Sequence, residues 1–173
     1  MNLESFFKLT YGLYIVSSAF EENRSGCVVN TLSQVTAEPI QLTVAIHKDN
    51  FTAQLIQKSQ RFNGVALTQG VPMEQIRRFG FQSGRDVDKF AGIPLAFDAA
   101  GIPYPTQSVA AMFSCKVVDQ LDLGSHLLFV GLAEQGELLS NEPVLTYTDY
   151  HMVKKEQTPP KASSYQAPKK QGW

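Results

Sequence analysis

The chain has 173 residues, 15 lysines and arginines against 16 aspartates and glutamates, and a net charge of -1 with an isoelectric point near 6.3. That length fits one domain able to bury a core without staples. Nothing in the near-neutral balance suggests a general nucleic-acid binder or a membrane-surface protein.

Met1 to Glu4 lacks the basic start and apolar run of a signal peptide. The most continuous apolar segment, Leu127 to Ala133, is far too short to cross a bilayer, so a cytoplasmic protein is expected. Strand-like stretches, rich in β-branched and aromatic residues and bounded by turn formers, run over Tyr11 to Ser18, Gly26 to Asn30, Gln41 to Ile46, Asn63 to Gln69, Ser108 to Gln120 and His126 to Glu134. Within the third, Leu42, Val44 and Ile46 alternate with Gln41, Thr43 and Ala45, which predicts one wetter face. Asn50 to Ser59 reads as a helix capped by Asp49 or Asn50, with Phe51, Leu55 and Ile56 on one side. A second helix runs from Val71-Pro72 to Phe79-Gly80, proline suiting its first turn and glycine its stop. A third is expected over Asp86 to Phe90, and Gln135-Gly136 is expected to turn the chain out of its last long strand. Six or more strands with few short helices, and no βαβ rhythm, predict a mainly β protein: an antiparallel barrel with helices at its rim.

Cys27 and Cys115 sit in apolar runs and read as buried thiols. No CxxC or HExxH supports a metal or redox centre. From Lys154 the chain turns lysine- and proline-rich, with almost nothing to bury, so 1–153 is expected to be the domain and 154–173 a linker or tail. Trp173 at its end is either the first packing residue of a further module or the end of a tail that folds back on a dimer partner.

GxGxxG, GxxxxGK[ST] and GxSxG are all absent, which excludes a Rossmann site, a P-loop and a hydrolase elbow. Three segments remain. Asn30 to Thr36 is dense in hydroxyls and amides and is either a cradle for a polar heterocycle or a polar turn bonded to itself. Ile46 to Thr52 leads from a strand into a helix start, where free N–H groups and Lys48 suit a phosphate, or where Asn50 merely caps. Phe79 to Phe90 mixes aromatics, glycines and charges, as a stacking platform or a salt-linked loop would. Among the histidines, His126 opens a strand after Gly124-Ser125 and is the best placed, whereas His47 and His151 read as structural or solvent-facing.

Taken in order, Val29 to Thr36 with Glu38-Pro39, Lys48 to Thr52, Phe81 to Phe90, Gly124 to Gly131 and Pro143 to Tyr147 resemble the flavin reductase-like, FMN-binding split-barrel family. Ser125 stands where that family has Asp, and Thr146 where it has Leu. The likeness is strongest to the flavin reductase domain that precedes a rubredoxin module in some electron-transfer proteins, where a similar linker follows the barrel. The resemblance implies a Greek-key split barrel and a homodimer with FMN, rather than FAD, near the subunit interface. It implies hydride transfer from NADH or NADPH, nicotinamide C4 to flavin N5. Asn30, Thr31, Leu32, Ser33, Gln34 and Thr36 would contact the flavin; Lys48, Asn50 and Thr52 its phosphate. Phe81 and Arg85 would place the nicotinamide nucleotide, and His126 would border the ring. Electrons would pass to rubredoxin or a rubredoxin-like module and onward to a flavodiiron-type acceptor. A diffusible reductase that releases reduced flavin and a non-enzymatic flavin-binding module are the alternatives.

Overall fold

The computed structural model describes residues 1–154. A 3-10 helix, Leu3–Lys8, leads into strands β1 (Tyr14–Phe20), β2 (Asn23–Val29), β3 (Ser33–Ala37) and β4 (Ile40–His47). Helix α1 (Phe51–Ser59), strand β5 (Arg61–Leu67) and helix α2 (Met73–Phe81) follow. A small hairpin of β6 (Leu95–Phe97) and β7 (Pro103–Pro105) precedes the long pair β8 (Val109–Asp122) and β9 (His126–Leu138), and α3 (Tyr147–Lys154) comes last.

Seven strands form one antiparallel sheet in the order β2-β1-β5-β8-β9-β4-β3. Period-2 alternation sends successive side chains to opposite faces, and each face builds its own core. Val16, Phe62, Cys115, Phe129 and the Leu42, Val44, Ile46 row of β4 form the inner core with Ala53 and Ile56 of α1. Residues of the opposite parity, Ile15 beside Val16 and Val65 three along from Phe62 among them, join the outer core with Ile76 and Phe79 of α2, Tyr104 of β7 and Tyr150 of α3. The sheet curls until β2 approaches β4, but no ladder joins them. Thr31 bridges near that gap: its Oγ1 donates to the Ala45 carbonyl at 2.8 Å and accepts from the Ala45 N–H at 3.2 Å. The result is an antiparallel split barrel with peripheral helices, as expected.

Three local expectations need correction. Asp86 to Phe90 is not a helix: only turn-type bonds form, and Asp88 Oδ1 takes the Phe90 N–H, the local side-chain bond that competes with helix. Gln135-Gly136 does not turn the chain. It lies inside β9, with Gly136 opposite Phe113, because β8 is long enough to keep pairing. Asn30 to Thr36 is less a turn than the approach to β3, an edge strand exposed along its whole length. The β6–β7 hairpin and α3 had no clear signal in the sequence. Of the expected tail, 154–173, Lys154 closes α3 and 155–173 lies outside the described residues.

Candidate functional site

The junction from β4 to α1 gathers five of the twelve expected residues, Lys48, Asn50, Thr52, Arg85 and His126. Asn50 has extended backbone (φ -69°, ψ 129°) and its Oδ1 accepts the Thr52 N–H at 2.9 Å, which starts α1. An Asn cap of this kind contributes about 1 kcal/mol to the helix. Just before it, the Lys48 backbone N–H donates to the Ser125 carbonyl at 3.0 Å and Lys48 Nζ lies 2.6 Å from Asp122 Oδ1. The Lys48 ammonium, together with the Gly124 N–H, holds the Asp122 carboxyl below the usual carboxylate range. Register places His47 directly across from His126, with ring centroids 5.1 Å apart and edge to face. His47 Nδ1 accepts the Asp49 N–H at 3.2 Å, and Ser125 Oγ lies 2.8 Å from His126 Nδ1.

From the other side comes the loop after α2. Arg85 Nη1 donates to the Asp49 carbonyl at 3.1 Å, and its guanidinium stacks over the Phe51 ring at 5.3 Å. Gly84 is packed so tightly on Ser25 of β2 that a Cβ there would collide with the serine hydroxyl. The first turn of α1 is thus flanked by Lys48 and Arg85, two cations beside a helix N-terminus. This donor set fits a phosphate.

Several expected residues take different parts. Thr31 spends its hydroxyl on Ala45, and Leu32 is buried with its side chain over Gly64. Thr52 is fully buried, and its hydroxyl donates to Ser25 Oγ at 3.1 Å rather than facing outward. Asn30 is also buried. Ser33, Gln34 and Thr36 lie on the exposed β3, where Gln34 Nε2 donates to the Thr36 carbonyl at 3.1 Å and Thr36 Oγ1 to the Pro39 carbonyl at 2.5 Å. Phe81 stands exposed at the end of α2. In the sequence His47 read as structural or solvent-facing and Gly84 only as part of the Phe79 to Phe90 segment, while Asp122 and Ser25 carried no signal. Of these only His47, one strand step from the expected phosphate turn, carried a usable hint.

A separate cleft of about 260 Å³ lies at Arg61, Ala99, Ala100, Ser114, Glu134 and Gln135, with the Arg61–Glu134 ion pair (2.6 Å) in its wall. It holds none of the expected residues. Both cysteines are buried free thiols of the inner core, and burial pushes Cys27 up to about 11 and Cys115 up to about 12. Among the described residues no cluster of His, Cys, Asp or Glu could hold a metal ion, and no helix is long and apolar enough to cross a membrane.

The family described as flavin reductase like domain matches residues 6–156. The chain is 41% identical over 165 residues to a ferric-chelate reductase (NAD(P)H) of Archaeoglobus fulgidus, spanning 95% of this chain and 98% of that one. It is 37% identical over 166 residues to the high molecular weight rubredoxin of Moorella thermoacetica, spanning 95% of this chain and 72% of that protein. In three dimensions it is similar to the FMN-binding protein of Thermus thermophilus, with a TM-score of 0.72 at 23% identity over 81% of this chain and 82% of that one, a likeness of fold.

Proposed function

The chain belongs to the flavin reductase like domain family, and on that premise we propose that it holds FMN, accepts hydride from NADH or NADPH, and passes electrons to a protein acceptor such as rubredoxin. The observation that carries this reading is the convergence at the β4–α1 junction: a capped helix N-terminus between Lys48 and Arg85, with the His47–His126 pair alongside. Bound FMN would supply the redox chemistry, taking a hydride from the nicotinamide.

The chain's own residues then bind and orient. Lys48, Asn50 and the first turn of α1 at Thr52 hold the phosphate. Ser33, Gln34 and Thr36, with the backbone from Asn30 to Leu32, line the flavin; Thr31 does so while keeping β4 in place. His126, its ring steadied by Ser125 and His47, borders the ring system. Phe81 and Arg85 place the nicotinamide nucleotide. No acid or base is required of the protein for hydride transfer; its part is alignment of the two rings.

A homodimer is part of the proposal. Leu121 and Leu128 face each other across the outward side of the β8–β9 pair, and Leu121 is 57% exposed. Val35 and Ile40, on the neighbouring β3–β4 hairpin, are also exposed. An apolar surface of this kind favours association. We take 1–153 as the working domain in the cytoplasm, with 154–173 as a tether toward a rubredoxin-like module or partner and, beyond it, a flavodiiron-type acceptor.

One second reading has specific support: the likeness to the ferric-chelate reductase runs over nearly the whole of both chains, which favours a soluble ferric chelate as acceptor. The test is a visible spectrum of the dialysed protein before and after anaerobic NADH or NADPH, followed by rubredoxin or a ferric chelate. Flavin bands that bleach with nicotinamide and return with rubredoxin support the proposal; return only with the chelate supports the second reading. A colourless protein active only with added FMN is a diffusible reductase. A protein inert under all conditions sinks every enzymatic reading.

A further inference from the structure

Behind the first turn of α1 lies a lysine that the proposed function leaves unused. Lys89 comes from the loop after α2, yet it is only 3% exposed. Its Nζ donates to the Gly26 carbonyl of β2 at 2.8 Å and to the Phe79 carbonyl of α2 at 3.0 Å. One ammonium therefore ties three segments together. Taking such a charge out of water costs several kcal/mol, and carbonyl dipoles offset this only in part. Burial accordingly lowers the lysine's pKa from its ordinary value.

Two observations connect this group to the candidate site. Ser25, the residue next to the Gly26 that Lys89 holds, accepts the Thr52 hydroxyl of α1 at 3.1 Å, and the Lys89 charge acts against the upward shift of the neighbouring Cys27 thiol. The charge thus stands one side chain behind the turn that would meet a phosphate. The loop that Lys89 anchors is the same one that lays Gly84 on Ser25 and Arg85 on Asp49 and Phe51. Next to it, Phe90 packs into the outer core against Phe79 at 5.2 Å, and Asp88 pairs with Arg24 at 2.7 Å. The loop is pinned at both ends, and Lys89 is the pin on the buried side.

We propose that Lys89 is a positioning residue for the phosphate site: it clamps the loop that carries Gly84 and Arg85 against the start of α1, and it fixes a positive charge behind that turn. The site then prefers the phosphate-bearing flavin to its unphosphorylated form. This inference rests on the phosphate assignment above.

The experiment titrates FMN and riboflavin into the flavin-depleted full chain, for the wild type and for Lys89→Gln, Lys89→Met and Lys89→Arg. The neutral variants are expected to lower the FMN-to-riboflavin affinity ratio about tenfold, the effect of one poorly screened charge at short range, with riboflavin affinity little changed. Lys89→Arg is expected to restore most of the ratio. An unchanged ratio, or equal loss of both flavins, overturns the proposal, since a scaffold residue would weaken both alike. Lys48→Ala in the same titration separates the two levels: a ratio that falls there but not in Lys89→Gln refutes the role of Lys89 alone. A ratio that ignores Lys48→Ala refutes the phosphate assignment itself. Should the neutral variants fail to fold, hydrogen exchange on the wild-type chain decides. Protected amides over residues 84–90 without flavin support a built-in clamp, and fast exchange there overturns it.

Discussion

Replacing Gly131 by alanine tests the packing on which the site stands. Gly131 sits in β9 opposite Leu42 of β4 and Val117 of β8, in the middle of the inner core. A Cβ there would lie 2.6 Å from Phe62 Cε1, 2.7 Å from Phe62 Cζ and 2.8 Å from Cys115 Cβ. Phe62 and Cys115 are both fully buried, so neither can swing into solvent to make room. Overpacking of this kind costs about 1–3 kcal/mol. For a domain of this size that is a fall in melting temperature of about 2–12 °C. Gly136 on the same strand is the control. Its added Cβ would make an ordinary 3.9 Å contact with Phe113 Cδ1, and alanine there should be neutral or stabilise by up to about 1 kcal/mol through the unfolded chain. The assay is thermal and urea unfolding of both variants, with Gly131→Ala repeated in a Phe62→Leu background. The smaller side chain should recover part of the loss, a coupling of about 1 kcal/mol between contacting residues. If Gly131→Ala unfolds with Gly136→Ala rather than well below it, the close approach of β9 to Phe62 is wrong, and with it the inner core.

Asp122→Asn should tighten FMN binding and Lys48→Ala should weaken it, because Asp122 competes with a phosphate for the same ammonium; isothermal titration reads both signs, and a shared direction would contradict the arrangement. Neither Cys27 nor Cys115 should react with a thiol reagent at pH 8 in the folded protein, given thiols pushed up to about 11 and about 12, and both should react once urea unfolds it. A fast-reacting thiol in the native state would contradict the burial. Asp88 is held below its ordinary value chiefly by the hydrogen bond from Arg24. A depressed folded-state pKa stabilises above the unfolded value of 3.8 and loses that contribution as pH falls through the lower folded value. Asp88→Asn should therefore narrow the stability gap to wild type as pH drops below about 4, measured by urea midpoints from pH 6 to 2.5; a gap that widens toward acid would reverse the assignment. His126→Ala should lower the rate of flavin reduction by NADH more than it lowers flavin affinity, as stopped-flow absorbance would resolve, and an effect on affinity alone would move His126 away from the ring.

The elements on either side of the candidate site, β4 and α1, were legible because their signals are local. The Asn50 cap and the Phe51, Leu55, Ile56 stripe predicted a helix over Asn50 to Ser59, and α1 runs Phe51–Ser59. The alternation in Gln41 to Ile46 matched β4, whose Leu42, Val44 and Ile46 are all buried. The resemblance rested on motifs in the right order, and the family match over residues 6–156 bears it out. Signals failed where one residue type serves two structures. Gly136 has the composition of a turn but lies in a strand, because its partner continues. Asp86 to Phe90 was expected to be a helix, but Asp88 caps its own turn and Lys89 points inward.

By itself, the sequence determined the start of α1, the alternation of β4, the class of fold and the family. Each depends on neighbours a few residues apart, or on motifs recognisable one by one. Tertiary structure alone decided which groups meet. Lys48 finds Asp122 across 74 residues, Arg61 finds Glu134 across 73, and Lys89 finds Gly26 across 63. Such meetings follow from strand register and sheet order. A one-residue slip would turn His47 away from His126 and the whole β4 row out of the core, because side chains alternate faces with a period of two. Burial likewise belongs to the assembled fold: nothing near Lys89 in the chain marks it as the lysine to be enclosed, and only the closing of β2, α2 and the intervening loop around it removes it from water.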